Sequence, residues 1–306
     1  MKRKTVLLML TLFSLTTAMH ARILRVNNIA GKAPYSTIAA AVGAAIDGDT
    51  IMVEGSTEEY EKTVLSKRIV LIGPGYLLKE NGLTAVVSDA VVDGLEVQKE
   101  GTVIMGMHIG GWYSLEIKAP KVVVTRCHIS SWEGVLFHEG ADNCILHQNF
   151  LLDNIHSDGK TYSHQITNNI CKELGVADIS DSFFFYNTLY YGPRPFEFHN
   201  ASGNLVEGNI VRKKNLGADD KNNTYRDNLG IEDDAMFDGI ETDLDLQTRM
   251  KGLSGSVTKR YGAFAGDAPY VISGILPGPV IEHVTMPASV EEGDNLKVTI
   301  KIAKGQ

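Results

Sequence analysis

The chain has 306 residues, a formal net charge of −8, 43% hydrophobic residues and three cysteines. An acidic balance of this size argues against nucleic acid and against anionic membrane as partners. Cys127, Cys144 and Cys171 are odd in number and lack metal-ligand spacing, so they read as buried thiols rather than a disulfide framework or a metal site.

Lys2, Arg3 and Lys4 precede an apolar run from Val6 to Leu15, with small and polar residues through Ala18 and Ala21. That is the three-part pattern of a secretory signal peptide, and the apolar run is too short for a permanent membrane span. Residues 1–21 are therefore expected to be removed, giving a soluble, secreted protein (periplasmic, extracellular or at the cell surface). Cleavage takes away three positive charges, moving the formal charge from −8 to −11.

Residues 35–46 carry Ile38, Val42 and Ile46 at helical spacing among alanines, and Asp47, Gly48 and Asp49 then turn the chain into an apolar strand from Thr50 to Val53. Further on, seven segments repeat, ending at Ile109, Ile129, Phe150, Ile170, Leu189, Ile210 and Leu229. Four positions before the ends stand Met105, Thr125, Leu146, Ile166, Phe185, Val206 and Tyr225, apolar in all but one. One position before the end stand His108, His128, Asn149, Asn169, Thr188, Asn209 and Asn228. A period near 20 is too short for a β-α-β unit, and a leucine-rich repeat would need a signature that is absent. The pattern predicts one coil of a right-handed parallel β-helix per repeat, all-β in class. Apolar residues stack inside it, and asparagines form a polar ladder. The helix at 35–46 would cover the open first coil.

After Leu229 the repeat fades. Residues 231–245 carry seven acids and no base and are expected to lie over the last coil as a loop or helix. No ordered ligand spacing supports Ca²⁺ there, so no cofactor or metal is expected. From Pro269, YVISGIL, VIEHVTM and NLKVTIKI read as strands. The expected organisation is a β-helix domain over 22–266 with an N-terminal cap, and a short C-terminal β extension over 267–306.

The stretch Tyr35–Gly73, with TIAAAV, GDTIMVEG, a tyrosine-containing turn and SKRIVLIGPG, resembles the N-terminal portion of pectin-lyase-like right-handed β-helix proteins. That resemblance implies the same fold and, across the family, lyases, hydrolases, esterases and inert adhesins. The motifs of the family's hydrolases, methylesterases and lyases do not carry over, and Arg194 in GPRP is a faint echo of the lyases' arginine. Whether the protein is an enzyme is left open.

Candidate residues come from strand alternation. With Leu115/Ile117, Val135/Phe137, Ala177/Ile179 and Phe196/Phe198 turned inward, the outward residues are Glu116 and Lys118, Leu136 and His138, His156 and Asp158, Asp178 and Ser180, and Glu197 and His199. Carboxylates and imidazoles on one strip suit acid–base cleavage of a sugar linkage. His138, His156, Asp158, Asp178, Glu197 and His199 are the catalytic candidates. Lys118, Arg126 and Arg194 are the cations available to a substrate. Trp112 and Trp132 occupy equivalent turns, either as an exposed platform for sugar rings or as a buried corner pair. The expectation is a protein that binds, and as a lyase or glycoside hydrolase cleaves, a polysaccharide. The alternative is a non-catalytic carbohydrate-binding or surface-structural solenoid. The sequence sets no oligomeric state.

Overall fold

The protein is described from a computed structural model over residues 21–304, except 87, 173, 192–195, 213–220, 288 and 290–294. The signal-peptide segment and Arg194 lie outside the described residues.

The chain winds into a parallel β-solenoid of about 8 turns. Three parallel sheets run its length. Sheet A has ten strands from Ile23–Val26 to Thr224–Arg226, and sheet B has eight from Val91–Val92 to Leu229–Gly230. Sheet C has seven, from Thr63–Leu65 to Phe196–His199. Inward side chains stack coil on coil: Leu95, Leu115, Val135, Ile155 and Val176 are buried at one level of sheet C, and Ile51, Leu71, Ile104, Val124, Leu146 and Ile166 at one level of sheet A. Burying these stacked columns is the main apolar driving force of the fold.

The helix Ile38–Ala44 closes the first coil. Thr37 caps it by accepting from the Ala40 N–H at 3.1 Å, and Ile38, Ala41 and Val42 are buried against the first strands. Ile46, expected on the same face, falls beyond the helix and is only half buried. The buried Asp49 ties the turn to Arg22, just before the first strand. It accepts from the Arg22 backbone at 2.8 Å and pairs with the Arg22 guanidinium at 2.7 Å, which holds its carboxyl down at about 2.

Where sheet A bends into sheet B, Arg126, Gln148, Asn168, Tyr186 and Asp227 all adopt left-handed backbone conformations, with φ between 46° and 58°. The residue following this bend is the ladder position. Asn149, Asn169, Asn187, Asn209 and Asn228 stack there, each Nδ2 donating to the next Oδ1 at 2.9–3.1 Å. Each Nδ2 also donates to a sheet A carbonyl at 2.8–3.0 Å. The ladder thus satisfies bend backbone groups that would otherwise be buried unpaired. It corrects the expected row at three coils. Asn187 replaces Thr188, while Met107 and Cys127 replace His108 and His128. The two histidines instead pair in register with Phe150 on the outward side of sheet B. There the rings stack, with centroids 4.3 Å and 5.0 Å apart.

That outward side is itself buried. Helices Asp234–Phe237 and Asp243–Met250 and the segment through Ile275 lie along it. Phe237, Leu246, Met250, Ala263, Tyr270 and Ile272 cover Phe150, Ile170 and Ile210. The acidic segment thus lies on the flank of the solenoid rather than over its last coil. The chain runs back past successive bends: Arg260 pairs with Asp227, Asn168 donates to Ala263 and Ala265, Gln148 to Ala268, and Arg126 to Ile275 at 2.8 Å. YVISGIL forms no strand, only a 3₁₀ turn at Ile272–Gly274, because its apolar residues face a sheet instead of pairing with one. The expected boundary at 266/267 falls inside this covering segment. An antiparallel hairpin, Pro279–Thr285 with Thr299–Lys304, follows it.

Candidate functional site

Sheet C keeps one face in solvent, and its period-2 alternation turns polar residues out. In register, the first outward row reads Glu96, Glu116, Leu136, His156, Ala177 and His199. The second contains Lys118, His138 and Asp158. Two expected positions change. Ile179 is buried as expected, but Val176 rather than Ala177 points inward beside it, and Ala177 turns outward. The cause is an irregularity between this strand and the one before it: Ser157–Lys160 have no partner in Leu174–Ser180, and the left-handed Asp178 intervenes between Ala177, paired with His156, and Ile179, paired with Thr161. Asp178 therefore leaves the strip. It sits at a left-handed bend with φ 60°, and its carboxylate accepts from Asn200 Nδ2.

At the early coils the strip is a closed ion network. Glu116 Oε1 accepts from Lys62 Nζ at 2.9 Å, and Glu116 Oε2 lies 3.2 Å from both Lys118 Nζ and His138 Nε2. Lys118 also contacts Glu96 at 3.0 Å. Partial burial pushes the Glu116 carboxyl up, but Lys62, Lys118 and His138 together outweigh it and hold the group at about 2. Glu116 is thus an ionised anchor with no proton to give near neutral pH. Lys118, expected to meet a substrate, is engaged by two carboxylates. Arg126 stands at the bend between sheets A and B, 2.8 Å from the Ile275 carbonyl, and is not on this face. Asp158 is exposed, its carboxylate 3.7 Å from His138 Nδ1.

Three coils beyond Glu116 the surface dips. Gly175 and Ala177 have little or no side chain, so an open cavity of about 360 Å³ forms over them, walled by Asn154, His156, Glu197 and His199. His156 and His199 pair with the same residue, Ala177, from opposite sides, which puts their backbones roughly 10 Å apart. His199 Nε2 is 3.7 Å from Glu197 Oε1.

Beside this face, at the corner where sheet B turns into sheet C, stand the tryptophans. Trp112 is 77% exposed and Trp132 73%, with ring centroids 6.3 Å apart. Tyr113 is next to them, with Lys62 Nζ 4.3 Å from its ring centre. The structure thus decides between the two expected arrangements: the pair is exposed.

No protein-family model, curated protein or solved structure matches this chain. The coils and the site carry the functional reading alone. Among the described residues no cluster of three or more His, Cys, Asp or Glu could hold a metal. The three cysteines are free and buried, and burial pushes the thiols of Cys127 and Cys144 up to about 12, too high for a nucleophile. Sequence reasoning missed Lys62 and Glu96. Glu96 lay one coil before the recognised repeat, and Lys62 reaches Glu116 across 54 residues of chain, which no spacing rule signals.

Proposed function

We propose that the protein binds a neutral polysaccharide along the corner between sheets B and C. The observation that carries this is the pair of adjacent, solvent-exposed indoles at equivalent positions of successive coils. Two such rings in water leave an apolar surface unburied. Aromatic planes of this kind suit the C–H faces of sugar rings. The spacing of one coil per ring gives a chain-like ligand a repeating contact. Neutrality is favoured because Lys62 and Lys118, beside the platform, are paired with Glu116 and Glu96. The expected export of residues 22–306 and the N-terminal resemblance to pectin-lyase-like proteins are consistent with an extracellular glycan. Titration of the protein with neutral and uronate-containing polysaccharides tests this, with Trp112→Ala/Trp132→Ala as the control. Binding of neither class, or binding that the double variant keeps, refutes it.

One observation favours cleavage over passive binding: the trough between His156 and the Glu197–His199 pair. A hydrolytic reading places His199, oriented by Glu197, as the base that takes a proton from water as its oxygen attacks the anomeric carbon. His156 on the opposite wall gives a proton to the departing sugar oxygen. Lyase chemistry is less favoured, since it needs a cation against the substrate carboxylate.

A further inference from the structure

Beginning one coil beyond Trp132 and reaching four coils beyond Trp112, the same corner of the solenoid holds a second depression. The corner is long where it carries Trp112 and Trp132 and short at Leu152 and Lys172, where the strands of sheets B and C nearly meet. The turn after helix Asp234–Phe237 stands against this shortened stretch. Together they enclose a cavity of about 320 Å³ lined by Leu152, Lys172, Tyr190, Tyr191, Phe237 and Glu241. Its floor is apolar, since Tyr190 and Phe237 are buried. Its rim is polar: Lys172 Nζ lies 5.1 Å over the Tyr191 ring, and the Tyr191 N–H donates to the Lys172 carbonyl at 2.8 Å. Asp238, also at the rim, is paired with Arg212 at 2.7 Å.

We infer that this cavity is a terminal subsite for one neutral pyranose at the end of the glycan lying on the tryptophans, an inference that rests on the platform reading above. The volume is at the low end for small-molecule sites and suits one ring rather than a chain. The apolar floor suits a sugar's C–H face, while the ammonium and the Glu241 carboxylate suit its hydroxyls. Glu241 opposes the Lys172 ammonium and Asp238 is paired with Arg212, so the rim offers no net positive charge to a uronate. Leu152 at the near wall is one inter-strand step from Trp132, while Tyr191 at the far wall is four steps, roughly 19 Å, from Trp112, so a ligand reaching from both tryptophans to Tyr191 must be an oligosaccharide of some length.

The test is calorimetric binding of gluco-, xylo- and manno-oligosaccharides, from disaccharide to octasaccharide, to the wild type, Tyr191→Ala, Lys172→Ala and Trp112→Ala/Trp132→Ala. Tyr191 is at the exposed corner, and circular dichroism confirms that each variant is folded. The wild type should gain affinity once the ligand spans both sites. Tyr191→Ala and Lys172→Ala should lose that gain, roughly tenfold, with short ligands unaffected. The double tryptophan variant should weaken at every length. If both corner variants bind all lengths like the wild type, the terminal subsite is refuted while the platform stands. If the tryptophan variant also binds normally, or no oligosaccharide binds, both fall.

Discussion

Asn154 Oδ1 accepts the Gly175 N–H at 2.8 Å, and a Cβ added to Gly175 would come within 2.7 Å of that same oxygen. The floor of the trough is therefore held open by a residue that has no room for a side chain. Gly175→Ala should push Asn154 aside and weaken that bond, lowering stability by roughly 1 kcal/mol and, under the hydrolytic reading, reducing turnover. Thermal unfolding of the variant beside the wild type checks the first part. An unchanged melting temperature would mean that Asn154 gives way freely.

His156→Ala and His199→Ala separate cleavage from binding. Under the hydrolytic reading each lowers turnover of a bound neutral glycan by at least roughly 100-fold, with affinity little changed. Reducing-end assays across pH measure this. If wild-type protein binds a glycan and releases no reducing ends at any pH, cleavage is excluded and a binding solenoid remains.

Asn187 sits mid-ladder, donating to Asn209 Oδ1 and the Ile166 carbonyl while accepting from the Asn169 Nδ2 and backbone N–H. Asn187→Ala leaves buried donors on Asn169 unpaired and should cost roughly 1–3 kcal/mol. Chemical denaturation measures it, and a loss below about 0.5 kcal/mol would show that water takes over the site.

Acid should loosen the early coils. The Glu116 carboxyl ordinarily titrates at 4.5 and here is held at about 2, and Asp49 falls from 3.8 to about 2. A depressed carboxylate contributes stability that is complete above its unfolded value and is lost as pH drops through the folded one. Melting temperature should therefore decline between pH 4.5 and pH 2, and Glu116→Gln should flatten part of that decline. An identical slope in the variant would exclude Glu116 as a contributor.

Arg126→Ala should lower the melting temperature, since it detaches the Ile275 carbonyl and Gln148 from the bend, and leave glycan affinity as it was. Weakened glycan binding in a folded variant would contradict its placement away from sheet C.

The alternation in Leu115–Ile117 and Val135–Phe137 was readable because sheet C has one wet face, where a one-residue slip would bury charge. Sheet B offers no such contrast. Phe150, Ile170 and Ile210 point outward yet are buried beneath the C-terminal segment, so they cannot be told from inward residues by hydropathy, and the row of seven positions slipped at three of them. Asp178 was misplaced because it is itself an extra left-handed residue between Ala177 and Ile179, with no Gly or Pro beside it, while the turn signal Asp158–Gly159 lies on the neighbouring strand. Exposure of Trp112 and Trp132 depends on what packs over the corner, which local sequence does not contain. The candidate face was thus found from its alternation, while its ion partners and its trough came only with the three-dimensional register.

A stack whose rungs touch only their neighbours would melt from either end, a coil at a time. The segment from Arg260 to Ile275 forbids this, because it is laced to Asp227 near one end and reaches the Tyr76 backbone near the other. Unzipping any single coil means peeling that lace, so unfolding should be all-or-none along most of the length. A nascent chain would gain this lock only once residues 260–275 had emerged, leaving earlier coils able to exchange until then.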